Sequence, residues 1–125
     1  MAHSSTQLQG AGQVRLQVHP DRVPSLDVSR LKSECEALAG STLGILGFRS
    51  EEGEDQGKYL NLVFGSHSPL TVWPAVRAAL YESPQFGPPL RNASMALCTG
   101  ADGWNDYLLL YHFDPSVPID KHTEA

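Results

Sequence analysis

The segment 50–57, SEEGEDQG, has the densest charge in the chain and is the first candidate for chemistry. Its carboxylates are Glu51, Glu52, Glu54 and Asp55, with no basic residue among them. Their spacing lacks the alternating oxygen ligands and distal glutamate of an EF-hand loop, so we predict no metal site. Acids at a hairpin tip are typical of a solvated turn that discourages pairing at a sheet edge. The alternative is a surface that docks a basic protein.

A second group of acidic and aromatic residues lies around the motif GWNDY. Asp102 and Asp106 supply negative charge, while Trp104 and Tyr107 are side-chain types that dominate binding hot spots at protein interfaces. The alternative for Trp104 is a position beneath its own hairpin, because tryptophan is usually well buried. Together with the four acids of segment 50–57, these residues form the predicted partner-binding site.

His112 and Asp114 place an imidazole and a carboxylate two residues apart, on one face near a strand end. Joined by His19, His67 or Cys98, they would form an acid–base or metal site, but the sequence fixes no third residue. A strand-end histidine beside an aspartate is more often a surface hydrogen bond. We therefore predict no catalytic residue. A small enzyme or ligand-binding domain that uses His112 and Asp114 is the alternative.

Cys35 and Cys98 are the two cysteines, and neither belongs to a CxxC pair, which excludes a structural zinc site made of cysteines. Cys35 lies on the apolar stripe of a predicted helix and Cys98 alternates with Ala96, so both are predicted to be core residues. The glycines of GSTLGILG lack the strand–loop–helix setting and the Lys-Ser/Thr pair of a phosphate-binding loop. We therefore predict no cofactor.

Charge and length exclude several classes of function. The 125 residues contain fourteen acids against nine scattered bases, a net charge of −5, which argues against a nucleic-acid ligand. No basic segment followed by an apolar run begins the sequence, and no apolar stretch approaches the roughly 20 residues of a membrane span. With unpaired thiols as well, we predict a cytoplasmic protein without a membrane segment.

Hydrophobic periodicity predicts the elements that position these residues. Apolar residues alternate with polar ones in QVRLQV, and in a later helix they recur every three or four residues. In the second helix, Pro74 must fall in the first turn, which starts that helix near Leu70 or Thr71. The predicted strands are 13–18, 42–49, 58–64, 94–99 and 104–113, and the predicted helices are 25–40 and about 70–83.

This order predicts an α+β fold. It is a ferredoxin-like β-α-β-β-α-β arrangement with an extra C-terminal strand, in which two helices cover one face of an antiparallel sheet. We expect a disordered segment at 1–12, one domain at 13–114 and a polar tail at 115–125. The other face of the sheet would carry a mixed polar and aromatic set, which stays wet or meets a partner: Tyr59, Asn61, Tyr107 and Tyr111.

Without a metal cluster, an activated nucleophile or a nucleotide loop, the sequence predicts a small acidic binding module rather than an enzyme. Its partner would be a basic protein, attracted by charge and held by aromatic contacts. In size, charge and fold type the chain is similar to the immunity proteins that neutralise interbacterial toxins. That resemblance implies an inhibitor whose acids cover a toxin's basic active site. The other alternative is self-association as a homodimer through the open sheet face.

Overall fold

Five antiparallel strands form one sheet in the computed structural model, which describes residues 12–54, 56–100 and 103–120. The strands are β1 (Gly12–Val18), β2 (Gly47–Glu54), β3 (Lys58–Ser66), β4 (Ser94–Gly100) and β5 (Gly103–His112). Their order across the sheet is β2-β3-β1-β4-β5. Consequently β3 separates β1 from β2, and β1 separates β3 from β4. The prediction of an α+β fold with an antiparallel sheet is confirmed.

Helices connect the strands and carry the other half of the core. They are α1 (Val28–Ser41), α2 (Pro69–Val76, continued by a π-helical turn over Arg77–Tyr81) and α3 (Gly87–Ala93). The carboxylate of Asp27 caps α1 by accepting a hydrogen bond from the Arg30 backbone N–H at 3.1 Å. Within the described ranges, no helix has the length and apolar character needed to cross a bilayer.

The core lies between the helices and one face of the sheet. Alternate residues of the central strand β1, Val14, Leu16 and Val18, are fully buried, as the alternation in QVRLQV predicts. They pack in one cluster with side chains of all three helices and of β3, β4 and β5, among them Leu31, Cys35, Trp73, Val76, Tyr81, Leu90, Leu62, Phe64, Ala96, Cys98 and Leu110. Because this cluster is continuous, the helices and the sheet stabilise each other.

Proline behaves differently from the prediction in two helices. The predicted elements include no helix between residues 83 and 94, but α3 is a seven-residue helix there. Its prolines, Pro88 and Pro89, lie in the first turn, where the backbone N–H they lack is not needed. In contrast, Pro74 lies in the second turn of α2, because that helix already begins at Pro69. The irregular π-helical turn follows directly.

The second strand begins five residues later than predicted. Residues 42–46 are not part of the strand, Gly44 has φ +98°, and Leu43 is 99% exposed. The strand then continues through Glu54, deep into the acidic segment that was expected to be a loop. Every β2 residue has a partner on β3, and this pairing extends the hairpin to Glu54 and Lys58.

A bulge in β5 reverses the direction of its side chains. Ala96 of β4 lies opposite Tyr111, whereas the next residue, Leu97, lies opposite Leu109, so β5 has one extra residue there. Tyr111 therefore turns toward the helices. Its ring lies 5.0 Å from that of Tyr81, and its hydroxyl donates to the Arg91 carbonyl at 2.6 Å. The prediction that Tyr111 lines the uncovered face is wrong for this reason.

The segment that follows β5 returns to the sheet edge. The Asp120 N–H donates to the Leu109 carbonyl at 2.9 Å, and the Asp120 carboxylate accepts from the Leu109 N–H at 2.7 Å. Both groups of Leu109 point away from β4 and would otherwise be open to pairing with another chain. The contact therefore blocks part of this edge of the sheet.

A buried hydroxyl pair provides the first testable prediction. The Ser94 hydroxyl donates to the Leu90 carbonyl at 2.7 Å, so the Tyr81 hydroxyl, 2.6 Å from Ser94 Oγ, is the donor of that second bond. Burial raises the pKa of Tyr81, which keeps the donor protonated. We expect Tyr81→Phe to lower the free energy of unfolding by about 1–2 kcal/mol, because a buried hydrogen bond is lost.

Urea denaturation of the two proteins measures this loss. Tyr107→Phe is the matched control, since Tyr107 is 51% exposed, and its effect should stay within about 0.5 kcal/mol. Equal stability of Tyr81→Phe and the wild type would contradict the assignment of the bond.

Candidate functional site

One face of the sheet has no helix packed on it within the described part of the chain, and we call it the open face. Cross-strand pairing and a shared concavity define its members: Gln13, Arg15, Gln17, Arg49, Glu51, Tyr59, Asn61, Val63, Met95, Leu97, Trp104 and Tyr107. Residues directly opposite one another on neighbouring strands lie on the same face, which is how β1 brings its polar positions together with those of β2, β3 and β4.

The centre of the open face is a row of arginines and apolar residues. Arg15 lies opposite Val63 on one side and Leu97 on the other, and Arg49 lies beyond Val63. Val63 is only 1% exposed although it belongs to this face. Arginines flank it on both sides, and arginine stems can cover apolar surface while the charged ends stay wet.

The next row contains the acid of the open face. Glu51 lies opposite Asn61, which lies opposite Gln17. The Arg49 Nε–H donates to the Glu51 carboxylate at 2.9 Å. This hydrogen bond, aided by the charges of Arg49 and Arg15 and by a hydrogen bond from Asn61, lowers the pKa of Glu51. Glu51 is therefore an ionised partner of Arg49 rather than an unengaged charge.

Three polar atoms on the open face are buried without a hydrogen-bond partner among the described residues. They are Gln13 Oε1, Arg15 Nε and Asn61 Oδ1, and Asn61 as a whole is 6% exposed. A buried polar group without a partner costs about 1–3 kcal/mol, so native proteins contain few of them. All three lie on the same face, so water or a partner that meets this face would have to supply their hydrogen bonds.

A shallow concavity of about 310 Å³ lies beside these atoms. Its walls are Arg15, Gln17, Met95, Leu97, Trp104 and Tyr107. Trp104 is 40% exposed and Tyr107 is 51% exposed, which is unusual for side chains with this much apolar area. The Arg15 guanidinium carbon lies 5.3 Å from the centre of the Trp104 ring, a cation–π contact that holds both side chains in place.

The eight residues of the predicted partner-binding site do not form one surface. Glu51, Trp104 and Tyr107 lie on the open face, while Glu52, Glu54 and Asp106 point to the helix side of the sheet. Glu52 is paired with Lys32 of α1. Asp55 and Asp102 lie outside the described residues. The alternation of side chains along β2 separates the acids that a loop would have kept together.

The side chains of the alternative site, His112 and Asp114, do not bond to each other. The Asp114 backbone N–H donates to His112 Nδ1 at 2.9 Å, while the Asp114 carboxylate accepts hydrogen bonds from Ser116. These bonds from Ser116 are the main reason that the pKa of Asp114 is lowered. The carboxylate is thus directed to Ser116 and not to the imidazole, so the two residues do not form a hydrogen-bonded dyad.

Of the residues proposed to join His112 and Asp114, His67 is distant and His19 is close. His67 follows the end of β3 that pairs with Gly12, whereas His112 lies beside the residues that pair with Gln17, about 17 Å along the strand at 3.3 Å per residue. His19, in contrast, lies near His112, with Phe113 packed against both rings. Among the described residues, no group of three or more His, Cys, Asp or Glu is placed to hold a metal ion.

The environment of His19 predicts a pH dependence of stability. Burial, followed by the charges of Arg22 and His112, lowers its pKa below 6.5 in the folded protein. The unfolded chain therefore binds a proton more readily in the window just below pH 6.5, and stability should fall as the pH falls through that window. The urea midpoint should drop between pH 7.5 and 5.5, and His19→Gln should flatten the drop. A midpoint that rises on acidification would contradict this prediction.

Both cysteines are core residues, as predicted. Cys35 and Cys98 are fully buried. Burial is the main reason that the pKa of Cys35 is raised to about 12 and that of Cys98 to about 11. Protonated thiols are poor nucleophiles and poor metal ligands, so the geometry assigns both residues to packing.

Sequence reasoning missed Arg15, Met95 and Leu97 as members of the site. A usable signal for Arg15 was present, because the alternation of QVRLQV already places it on the polar side of β1. The same alternation in β4 places Met95 and Leu97 on this face, since Ala96 and Cys98 point into the core. The contact of Arg15 with Trp104, which joins strands distant in sequence, has no local signal.

Comparisons of the chain with models of known protein families, with curated proteins and with solved structures found no match.

Proposed function

We propose that this chain is a protein-binding module whose docking surface is the open face of the sheet. The observation that carries the proposal is the concentration on this face of two exposed aromatic side chains and three buried polar atoms without partners in the described chain. Exposed aromatic rings and unpaired polar atoms both raise the free energy of the folded chain in water. A partner protein would lower it by covering the rings and supplying hydrogen bonds.

The composition of the open face favours a protein partner over a small ligand. Binding hot spots are enriched in Trp, Tyr and Arg, and Trp104, Tyr107 and Arg15 lie around one concavity. That concavity is shallow and open, whereas a small-molecule site buries most of its ligand in a cleft. An uncovered antiparallel sheet face with mixed apolar and polar residues is instead typical of a face that is wet or meets another protein.

A ferredoxin-like arrangement of the elements is part of the same proposal. The strand order supports it, since each β-α-β unit has its two strands separated by one strand of the other unit. In such an arrangement the helices occupy one face and leave the other available. The fifth strand would widen that available face and add Trp104 and Tyr107 to it.

The narrower prediction of an immunity-type inhibitor of a basic toxin stays a prediction. It depends on acids that act together, but Glu51 is paired with Arg49, Glu52 is paired with Lys32, and the two acids lie on opposite faces of β2. The net charge of −5 still favours association with a basic protein at long range. The open face gives more support to protein binding than the acidic residues do.

Quantitative affinity capture from cells that produce the chain tests the proposal. The bait proteins are the wild type, Trp104→Ala/Tyr107→Ala, and the control Leu43→Ala/Ile119→Ala, which removes two exposed apolar side chains elsewhere. We expect at least one protein, a second copy of the chain included, to be retained by the wild type and the control but lost from the open-face variant. Equal retention by all three baits would overturn the assignment of the open face.

A further inference from the structure

We infer that Arg15 is a carboxylate-binding subsite within the open face, which receives an aspartate or glutamate side chain of the partner protein. This inference rests on the proposed function and adds the chemistry of the partner to it. The subsite comprises the Arg15 guanidinium, the Trp104 ring beneath it and the concavity between Leu97 and Tyr107.

The guanidinium of Arg15 lies against an aromatic ring. Its carbon is 5.3 Å from the centre of the Trp104 ring, a cation–π contact that favours this position of the side chain. Arg15 Nε is buried and has no hydrogen-bond partner among the described residues. Glu51, the acid on the same face, is instead bonded by Arg49. Within the part of the chain that the structure describes, Arg15 Nε is therefore a donor without an oxygen acceptor.

A carboxylate matches this donor better than other anions do. The planar guanidinium forms two parallel N–H···O bonds with a carboxylate, which gives strength and fixes orientation. The ionised Glu51 lies on the same face, and its charge would repel a doubly charged phosphate more strongly than a singly charged carboxylate. The apolar walls formed by Met95 and Leu97 favour a side chain with methylene groups behind its charge, as in glutamate.

The two remaining unpartnered atoms indicate that the carboxylate belongs to a polypeptide. Gln13 Oε1 and Asn61 Oδ1 are acceptors, so they require donors from the partner. Gln13 is two residues before Arg15 on β1, and Asn61 is two residues before Val63, which lies opposite Arg15 on β3. Both therefore lie on the same face as Arg15. A peptide supplies amide N–H donors next to an acidic side chain, whereas a simple carboxylic acid supplies none.

Nuclear magnetic resonance titration with two capped peptides tests the inference. The probes are acetyl-Leu-Glu-Leu-amide and acetyl-Leu-Gln-Leu-amide, which differ only in the carboxylate, and the resonances followed are the Trp104 indole N–H and the Arg15 Nε–H. We expect the glutamate peptide to bind the wild type about tenfold more tightly, as a charged hydrogen bond of about 1.5 kcal/mol implies. Arg15→Met should reduce the ratio to about one, whereas the control Arg30→Met, on the exposed side of α1, should retain it.

The outcomes separate this inference from the proposed function. If both peptides shift the open-face resonances with equal affinity, or if a lysine peptide of the same design binds more tightly, the carboxylate subsite is wrong and the docking surface stands. If neither peptide shifts those resonances, the carboxylate subsite is wrong, and the docking surface is still decided by the capture experiment. Sedimentation of the chain alone tests whether a second copy occupies the open face. Self-association that is abolished by Trp104→Ala but not by Arg15→Met would assign the face to a second copy and overturn the inference.

Discussion

Replacement of Trp73 with alanine is expected to lower the free energy of unfolding by about 3–5 kcal/mol, the range for truncating a buried tryptophan. Domains of this size are stable by about 5–15 kcal/mol, so the variant should lose a large part of its margin. Trp73 is 2% exposed and belongs to the continuous core cluster. The expected loss combines the removed apolar contacts with the cavity that remains between α2 and the sheet.

The neighbours of Trp73 leave little room for relaxation. Its ring meets the Tyr81 ring edge-on, with centroids 5.7 Å apart, and Tyr81 is fixed by its hydrogen bond to Ser94 and by Tyr111. A side chain held on several sides cannot move to fill a void, so the cavity should persist. Trp73→Phe, which refills part of the volume, should recover about half of the loss.

Urea denaturation monitored by far-ultraviolet circular dichroism measures these differences. The signal must come from backbone structure, since Trp73→Ala removes one of the two tryptophan fluorophores. Arg77→Ala is the comparison variant. The guanidinium carbon of Arg77 lies 6.0 Å from the centre of the Trp73 ring, so this variant removes a neighbour of Trp73 and leaves the tryptophan in place. A loss below about 1 kcal/mol in Trp73→Ala would contradict the core assignment.

Replacement of Trp104 with alanine should have the opposite pattern, with binding lost and stability retained. A central hot-spot residue contributes about 2 kcal/mol or more to binding, which corresponds to a rise of about 30-fold in the dissociation constant of the captured partner. Because Trp104 is 40% exposed, its removal should change the free energy of unfolding by less than about 1 kcal/mol. Calorimetric titration and urea denaturation of the same samples measure both quantities.

Two controls sharpen this second prediction. Trp104→Phe keeps a ring against Arg15 and should recover most of the affinity, since the contact depends on an aromatic face. Leu43→Ala removes a side chain that is 99% exposed elsewhere on the molecule and should leave affinity unchanged. Wild-type affinity in Trp104→Ala would show that the docking surface excludes the concavity.

Local periodicity was enough to predict the parts of the fold that alternate or repeat without interruption. The strand β1 and the helix α1 follow from the spacing of Val14, Leu16, Val18 and Leu31, Cys35, because burial on one side leaves that spacing in the sequence. The start of β2 could not be predicted, since Leu43 is as apolar as a core residue. Its exposure results from the turn that Gly44 permits at φ +98°.

The candidate site was only partly predictable for a related reason. The exposed aromatic residues are visible in the sequence, and Trp104 and Tyr107 lie on one face as binding residues should. The acids looked continuous because Glu51 and Glu52 are neighbours in sequence, yet neighbours in a strand point to opposite faces. The contact between Arg15 and Trp104 depends on the pairing of β1, β4 and β5, which no local pattern encodes.

The bulge in β5 lets one strand serve two purposes. Before it, Trp104 and Tyr107 point outward, and after it, Leu110 and Tyr111 point into the interior. Leu110 is the residue of β5 that has no partner on β4 at this bulge, so its deletion would turn one end of the strand to the wrong face. This extra residue changes which face the following side chains point to, so insertions or deletions should be tolerated far less well there than at the bend of Gln56 and Gly57.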